Sequence, residues 1–155
     1  EKSQLKELLK QGLEKTQAAE EALSQTAEAE EPFLKGIELE GAEATEAIAT
    51  CKSAWKVVET KVSAAKSFLK AKLGEIKRLS AENQEAARGE LADLATRVET
   101  ASQKLNEFKK DTSERETAIV LKEVISKVTT AETSVQQAIQ VSAPLQADKL
   151  EDVDA

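Results

Sequence analysis

Few side chains in this sequence are suited to covalent or acid–base chemistry. The 155-residue chain has one cysteine, Cys51, one tryptophan, Trp55, and no histidine. A thiolate can act as a nucleophile or redox sensor, and an indole ring can stack on a flat ligand. The absence of imidazole excludes histidine-based catalytic dyads and triads, His-containing zinc sites and the histidine ligands of di-iron bundles.

Carboxylates are abundant, and several are adjacent, as in Glu20-Glu21, Glu30-Glu31 and the acidic C-terminal tail 151–154. Two carboxyl groups perform acid–base chemistry only when a pocket holds them at a defined separation, whereas runs of like charge usually form solvated faces and tails. The sequence also contains no phosphate-binding loop, Gly-x-Gly-x-x-Gly or Cys-x-x-Cys motif. We therefore predict no enzyme activity, no catalytic residue, no metal site and no cofactor.

Basic residues are concentrated in the middle of the chain. Residues 52–79 hold eight basic and two acidic side chains, against five and 12 in residues 1–51 and nine and 15 in residues 80–155. Five of these lysines each follow an apolar residue of a regular pattern and form what we call the lysine stripe: Lys52, Lys56, Lys66, Lys70 and Lys77. The stripe either pairs with acidic helices of the same chain or faces an anionic partner such as a lipid surface or an acidic protein. Nucleic acid is disfavoured, because the sequence has no Arg-rich cluster and the net charge is −7.

The elements that position these side chains are expected to be helices. A third of the residues are charged, 40% are apolar, and Ala, Glu, Lys, Gln and Leu predominate, which is typical of long helices and coiled coils. We predict an all-α fold, an antiparallel bundle of three to four long helices with heptad packing. Trp55 and Cys51 are then interpreted as core residues, and the thiol as an inert small apolar group.

Breakers and periodicity place the first two helices. The first helix is predicted over about 3–31, ended by Pro32, with a loop marked by Gly36 and Gly41. The second, over 42–79, has apolar residues at alternating spacings of four and three, the pattern that knobs-into-holes packing requires. Its predicted core positions include Ile48, Cys51, Trp55, Val58, Val62 and Leu69.

The third predicted helix covers 85–110, after a polar turn at 80–84. Its seam contains Leu91, Leu94, Val98, Leu105 and Phe108. The phase of the apolar pattern changes near Asp111, and Ser113 with Glu116 could form a capping box that starts a new helix over about 113–142. A continuous helix with a local phase slip is the equally acceptable alternative.

Two segments of the chain align without a gap at an offset of 112 residues. Segments 8–33 and 120–145 share seven identities, namely Leu9/Leu121, Lys10/Lys122, Lys15/Lys127, Ala19/Ala131, Glu20/Glu132, Gln25/Gln137 and Pro32/Pro144. This favours a duplication, in which residues 1–112 form a three-helix repeat unit and 113–155 supply the first helix of a second unit with its acidic tail. The alternative makes the last segment the fourth helix of a single bundle.

Two resemblances bear on this organisation. The continuous-helix option and the repeat length resemble the architecture of spectrin-like repeats, although the signature Trp of those repeats lies in their first helix and Trp55 lies in the second. The stretches from Ser67 to Arg78 and LNEFKKDTSER at 105–115 resemble segments of large Ala/Glu/Lys-rich helical repeat proteins of dinoflagellates and related alveolates, over about half of the chain. That resemblance implies a repeat array and no established activity.

The function that follows is a structural or scaffolding one: a spacer or docking unit whose partners are proteins or neighbouring repeats of the same chain. The alternatives are an exchangeable amphipathic-helix protein that binds lipid or membrane surfaces, and an extrinsic bundle subunit of a membrane complex. A soluble protein of a reducing, cytoplasmic compartment is expected, because no apolar run approaches the ~20 residues that span a bilayer and one cysteine cannot form an intrachain disulfide.

Overall fold

The structure, a computed structural model, describes the backbone of residues 1–153 and the side chains of residues 1–143. It contains three long helices, α1 (Lys2–Leu34), α2 (Gly41–Glu75) and α3 (Ala81–Val153), with a short 3₁₀ helix at Ile76–Arg78 between the last two. Within residues 1–153 there is no strand, so the predicted all-α class is confirmed. The chain divides into two compact units, residues 1–116 and the remainder from Thr117.

The first unit is an antiparallel three-helix bundle, and its pairings fix the direction of each helix. On α1 and α3, Glu20 pairs with Arg97 and Glu30 with Arg115, so these two helices run parallel. Between α2 and α3 the paired positions run in opposite order: Lys52 with Glu116, Glu59 with Lys109, and Lys66 with Glu99. Helix α2 is therefore antiparallel to both of its neighbours.

The core of the first unit follows the apolar seams. Helix α2 buries Ile48, Cys51, Val58, Val62 and Leu69, while Trp55 is half-buried against them. Helix α3 buries Leu91, Leu94, Val98, Leu105 and Phe108. Helix α1 contributes a different kind of surface, since its buried positions carry only small or hydroxyl side chains: Gly12, Thr16, Ala19, Ala22, Thr26 and Ala29. Small residues let α1 approach its two neighbours closely.

Several predicted helix ends were wrong. Pro32 lies inside α1, which ends at Leu34; near the C-terminus a proline removes only one hydrogen bond from a turn that is already ending. Gly36 and Gly41, both with positive φ, then reverse the chain. Helix α2 gives way to the 3₁₀ helix at Ile76 instead of continuing to 79.

Helix α3 starts at Ala81 rather than 85, and it does not stop at 110. Residues 81–84, which belong to the turn predicted at 80–84, form its first turn, where the Gln84 side chain donates hydrogen bonds to the carbonyls of Lys77 and Leu79. The helix continues through Ser113, so no helix begins there for a capping box to close. The seam of Leu105 and Phe108 instead extends to Thr112, which is fully buried. Within the acidic tail 151–154, Asp154 lies beyond the described backbone, and the side chains of the tail lie outside the described residues.

Candidate functional site

Three features of the described chain are candidate sites: the Cys51–Trp55 region, the lysine stripe, and the surface of the second unit. None of the described residues form a group of three or more His, Cys, Asp or Glu side chains able to hold a metal ion. Across the same residues, no helix is both long enough and apolar enough to cross a membrane.

Cys51 lies in an environment that makes its thiol unreactive. It is fully buried, and its Sγ donates a hydrogen bond of 3.2 Å to the carbonyl of Ala29 on α1. Burial raises the pKa of the Cys51 thiol, and the nearby positive charge of Arg115 only partly opposes that effect. Because the reactive form of cysteine is the thiolate, this environment suppresses nucleophilic and redox chemistry.

Trp55 lies at the edge of the core, where it is half-buried. Its ring packs against the buried residues, and the ammonium of Lys109 on α3 lies 5.8 Å from the ring centroid. The same lysine holds Glu59 at 2.6 Å. The indole therefore helps to join α2 to α3.

The adjacent carboxylates are separated by their partners rather than gathered in a pocket. Glu30 accepts a hydrogen bond of 2.8 Å from Arg115, whereas its neighbour Glu31 pairs at 3.1 Å with Lys35, the residue that follows α1. Glu20 accepts two hydrogen bonds from Arg97, which lower the pKa of its carboxyl group. Each of these three carboxylates thus has a cation of its own, and the pairs of Glu20 and Glu30 join α1 to α3.

An open groove of about 790 Å³ lies at the end of the first unit where α1 begins. Apolar side chains of Leu5, Leu8, Ile76 and Leu79 form part of its walls. Lys72, also at the groove, is held by the carboxylate of Glu75 at 2.9 Å. Two carboxylates, Glu7 and Glu75, also line the groove; Glu75 is paired with Lys72, and Glu7 accepts a hydrogen bond of 3.1 Å from the side-chain amide of Gln11.

The lysine stripe is split by the structure into paired and unpaired members. Lys52 binds Glu116 at 2.6 Å, and Lys66 binds Glu99 at 3.2 Å and the hydroxyl of Ser102 at 3.0 Å, all on α3. Lys56, Lys70 and Lys77 are exposed and form no salt bridge with the described side chains.

The paired members belong to a regular ladder. Lys52, Glu59 and Lys66 are successive heptad positions of α2, and their partners Glu116, Lys109 and Ser102 are successive heptad positions of α3 in the reverse direction. Flanking pairs at this spacing set the register and orientation of helices. The contacts of Lys52 and Lys66 therefore support the interpretation that these lysines pair with an acidic helix of the same chain.

The second unit presents a surface that sequence analysis did not single out as a site. Eight large apolar side chains are between 51% and 73% exposed on residues 120–141, and we call them the C-terminal apolar face: Val120, Leu121, Val124, Ile125, Val128, Val135, Ile139 and Val141. The alignment of 120–145 with 8–33 could have indicated this surface, because the aligned helix α1 is covered by α2 and α3 in the bundle. Because apolar side chains exposed together on one segment are typical of interaction surfaces, this face is a candidate site.

Two charged residues flank the central stripe of this face. At 100° per residue, Lys127 lies on one side of Val124, Val128 and Val135 and Glu132 on the other, while Val141 and Ile125 lie beyond these two charges. Lys122 and Glu123 lie away from the centre of the face. The charged residues of 117–143 number two basic and two acidic, so this segment has no net charge.

No protein-family model, curated protein or solved structure matches this chain. The geometry described above is therefore what bears on function.

Proposed function

We propose that the chain is a non-enzymatic structural element: a stiff three-helix spacer, residues 1–116, joined to a helix that serves as a docking surface. The observation that carries this proposal is a contrast between the two units. The first buries its apolar seams among its own three helices, while the second exposes eight large apolar side chains on one segment.

Stiffness is supported by connections distributed along the bundle. Ion pairs between different helices occur at Glu20–Arg97 and Glu30–Arg115 for α1 and α3, and at three heptad-spaced positions for α2 and α3. Each exposed pair contributes only a few tenths of a kcal/mol. Their value for a spacer is that they fix register, which the apolar seams alone specify less strongly.

A non-catalytic role is supported by the state of the groups that could react. Cys51 is buried with a raised pKa, and the carboxylates of Glu20 and Glu30 are engaged by arginines. No cluster of metal-ligating side chains occurs among the described residues. These observations leave binding as the activity best matched to the surface.

A lipid-surface role is the second candidate, favoured by the exposure of Lys56 and Lys70 on α2. Interfacial helices combine an apolar face with cationic flanks. The C-terminal apolar face instead has Lys127 on one side of its central stripe and Glu132 on the other, and its segment is electrically neutral. Docking to helices therefore fits this face better than docking to anionic lipid.

The two roles are separated by whether the bundle stays closed at a membrane. Spin labels placed at exposed Glu21 on α1 and Lys61 on α2, in a Cys51→Ala background, would report the distance between these helices by pulsed electron resonance. A spacer predicts one narrow distance distribution, unchanged by vesicles of anionic phospholipid. A broad distribution in buffer would contradict the spacer role, and a shift to longer distances with vesicles would favour the lipid role.

A further inference from the structure

The buried face of α1 has counterparts in the second unit, and three of them, Val124, Val128 and Val141, belong to the C-terminal apolar face. With the offset of 112, the buried α1 positions Gly12, Thr16, Ala19, Ala22, Thr26 and Ala29 coincide with Val124, Val128, Ala131, Ser134, Ala138 and Val141. None of these counterparts is charged. In the first unit, the corresponding face of α1 is covered jointly by α2 and α3.

The two flanking charges also correspond, and in α1 each of them has an identified neighbour. Lys15, the counterpart of Lys127, lies over the ring of Phe68 on α2 with 5.5 Å between Nζ and the ring centroid. Glu20, the counterpart of Glu132, accepts two hydrogen bonds from Arg97 on α3. Lys15 of α1 thus faces one helix of the hairpin and Glu20 faces the other.

We propose that the C-terminal apolar face binds an antiparallel helical hairpin arranged as α2 and α3 are around α1. The inference rests on the docking role proposed above and deepens it by naming the partner. The helix beside Lys127 carries an aromatic residue, the helix beside Glu132 carries an arginine, and heptad-spaced apolar residues of both cover Val128 and Val135.

The glycine at position 12 of α1 is replaced by Val124 in the C-terminal segment, and this difference limits the size of the partner residue that packs against it. A Cβ atom added at Gly12 would lie 3.2 Å from Cδ1 of Leu94 and 3.5 Å from Cδ2 of Leu69. Val124 stands at the same position in the C-terminal segment, and its methyl groups extend beyond Cβ. The hairpin that covers Val124 therefore has a residue smaller than leucine opposite it.

This size rule argues against a second copy of the chain as the partner. The hairpin of another copy presents Leu94 at that position, where Gly12 already leaves little room. In addition, the apolar seam of that hairpin is already covered by its own α1. The partner is a related hairpin with a modified seam.

The test supplies such a hairpin to the intact chain. In a tandem variant, the full 155-residue sequence is followed directly by a second copy of residues 44–116, which keeps the offset of 112, with Leu94→Ala in the added copy. We expect the amides of residues 120–141 to exchange with solvent at least about tenfold more slowly than in the original chain. Unchanged exchange in the tandem variant would overturn the inference.

Two variants make the result specific to the proposed geometry. Glu132→Arg in the tandem variant should restore faster exchange, and Arg97→Glu in the added copy should reverse that effect by exchanging the charges. Glu123→Arg applies the same charge change away from the centre of the face, and it should leave exchange unaltered. Retaining Leu94 in the added copy should weaken the protection; equal protection with and without the Leu94→Ala change would overturn the size rule and with it the proposed register.

Analytical ultracentrifugation of the original chain distinguishes failure of this inference from failure of the docking role. A doubling of mass accompanied by slower exchange over 120–141 would identify a second copy as the occupant, which overturns the hairpin and leaves the docking role standing. Slow exchange over 120–141 in a monomer of the original chain would contradict the docking role itself.

Discussion

Arg97 on α3 donates two hydrogen bonds to Glu20 on α1, from Nε to Oε1 at 2.9 Å and from Nη2 to Oε2 at 2.6 Å. A bidentate pair of this kind fixes direction as well as distance, because the planar guanidinium matches the carboxylate edge. Both side chains keep about two-fifths of their surface in water. The pair accordingly specifies the register of two parallel helices more than it stabilises them.

The Glu20–Arg97 pair predicts a pH dependence of stability. The hydrogen bond from Arg97 lowers the pKa of Glu20 below 4.5 in the folded protein. A carboxyl group with a lowered folded pKa stabilises the protein above its unfolded pKa, and this contribution is lost as the pH falls through the folded value. Glu20→Gln should therefore reduce the loss of stability on acidification below about pH 4.5. Urea unfolding from about pH 7 to about pH 3 measures it. The matched control is Glu21→Gln at the exposed neighbour; equal effects of the two substitutions on the acid dependence would contradict the assignment.

Substitution of Val58 tests the seam of α2. Val58 is fully buried, whereas the adjacent Val57 is 50% exposed. Val58→Asp should lower the free energy of unfolding by at least about 3 kcal/mol, because it buries an unpaired charge. Val57→Asp should change it by no more than about 0.5 kcal/mol. Thermal and urea unfolding measure both, and a melting temperature unaffected by Val58→Asp would show that the heptad assignment is wrong.

Thr112 offers a route to higher stability. Its side chain is fully buried, and its Oγ1 forms no hydrogen bond of regular geometry with the part of the chain that the structure describes; its polar neighbour is the Cys51 thiol, and Thr112 lowers the pKa of that thiol less than the other groups around it change that pKa. A buried polar group without a partner costs about 1–3 kcal/mol. Thr112→Val, which keeps the shape, should raise the free energy of unfolding by about 1 kcal/mol. Thr16 is the control, since its buried hydroxyl donates to the carbonyl of Gly12 at 2.8 Å, and Thr16→Val should bring no comparable gain.

The close packing at Gly12 predicts opposite outcomes for two glycine substitutions. Gly12→Val should lower stability by about 1–3 kcal/mol, because the added atoms meet Leu94 and Leu69. Leu94→Ala combined with Gly12→Val should cost less than the two single changes added together. Gly89 on α3 has nothing within 4 Å of an added Cβ, so Gly89→Ala should raise stability by about 0.5–1 kcal/mol. If the losses of stability from Gly12→Val and Leu94→Ala simply add in the double variant, the side chains at positions 12 and 94 do not compete for the same space.

The lysine stripe should behave as two groups. Lys52→Gln with Lys66→Gln should lower the free energy of unfolding by about 0.5–1 kcal/mol at low salt, because both lysines pair with α3. Lys56→Gln with Lys70→Gln, the same change of charge at unpaired positions, should have a smaller effect. Urea unfolding at low and high salt measures the difference, which salt should reduce. Equal losses in the two double variants would contradict the division.

The sequence predicted the helical class and both apolar seams, and the reason is visible in particular residues. The apolar residues of α2 follow heptad spacing at Ile48, Val58, Val62 and Leu69. A helix with this pattern buries its apolar residues by packing against other helices. Helix α1 was harder to interpret because Gly12, Thr16 and Thr26 form its buried face. Small and hydroxyl residues give a weak apolar signal, and their burial depends on the shape of α2 and α3.

Other features depend on contacts that no local pattern encodes. Whether α3 stops near Asp111 is decided by a seam that Thr112 continues although its side chain is polar. Which lysines of the stripe are paired depends on the register of α3, since Lys52 reaches Glu116 across 64 positions of sequence. The C-terminal apolar face became recognisable as a site only when the burial of α1 and the exposure of residues 120–141 could be compared.

The central claim is that residues 1–116 complete their own core while residues 120–141 offer apolar surface to a partner. Native-state amide hydrogen exchange on the full chain, at a concentration where ultracentrifugation gives the mass of a monomer, tests it most directly. We predict that amides around Val58, Val62, Leu91 and Val98 exchange only through global unfolding, and that amides of 120–141 exchange orders of magnitude faster. Equal protection of the two regions in the monomer would contradict the account.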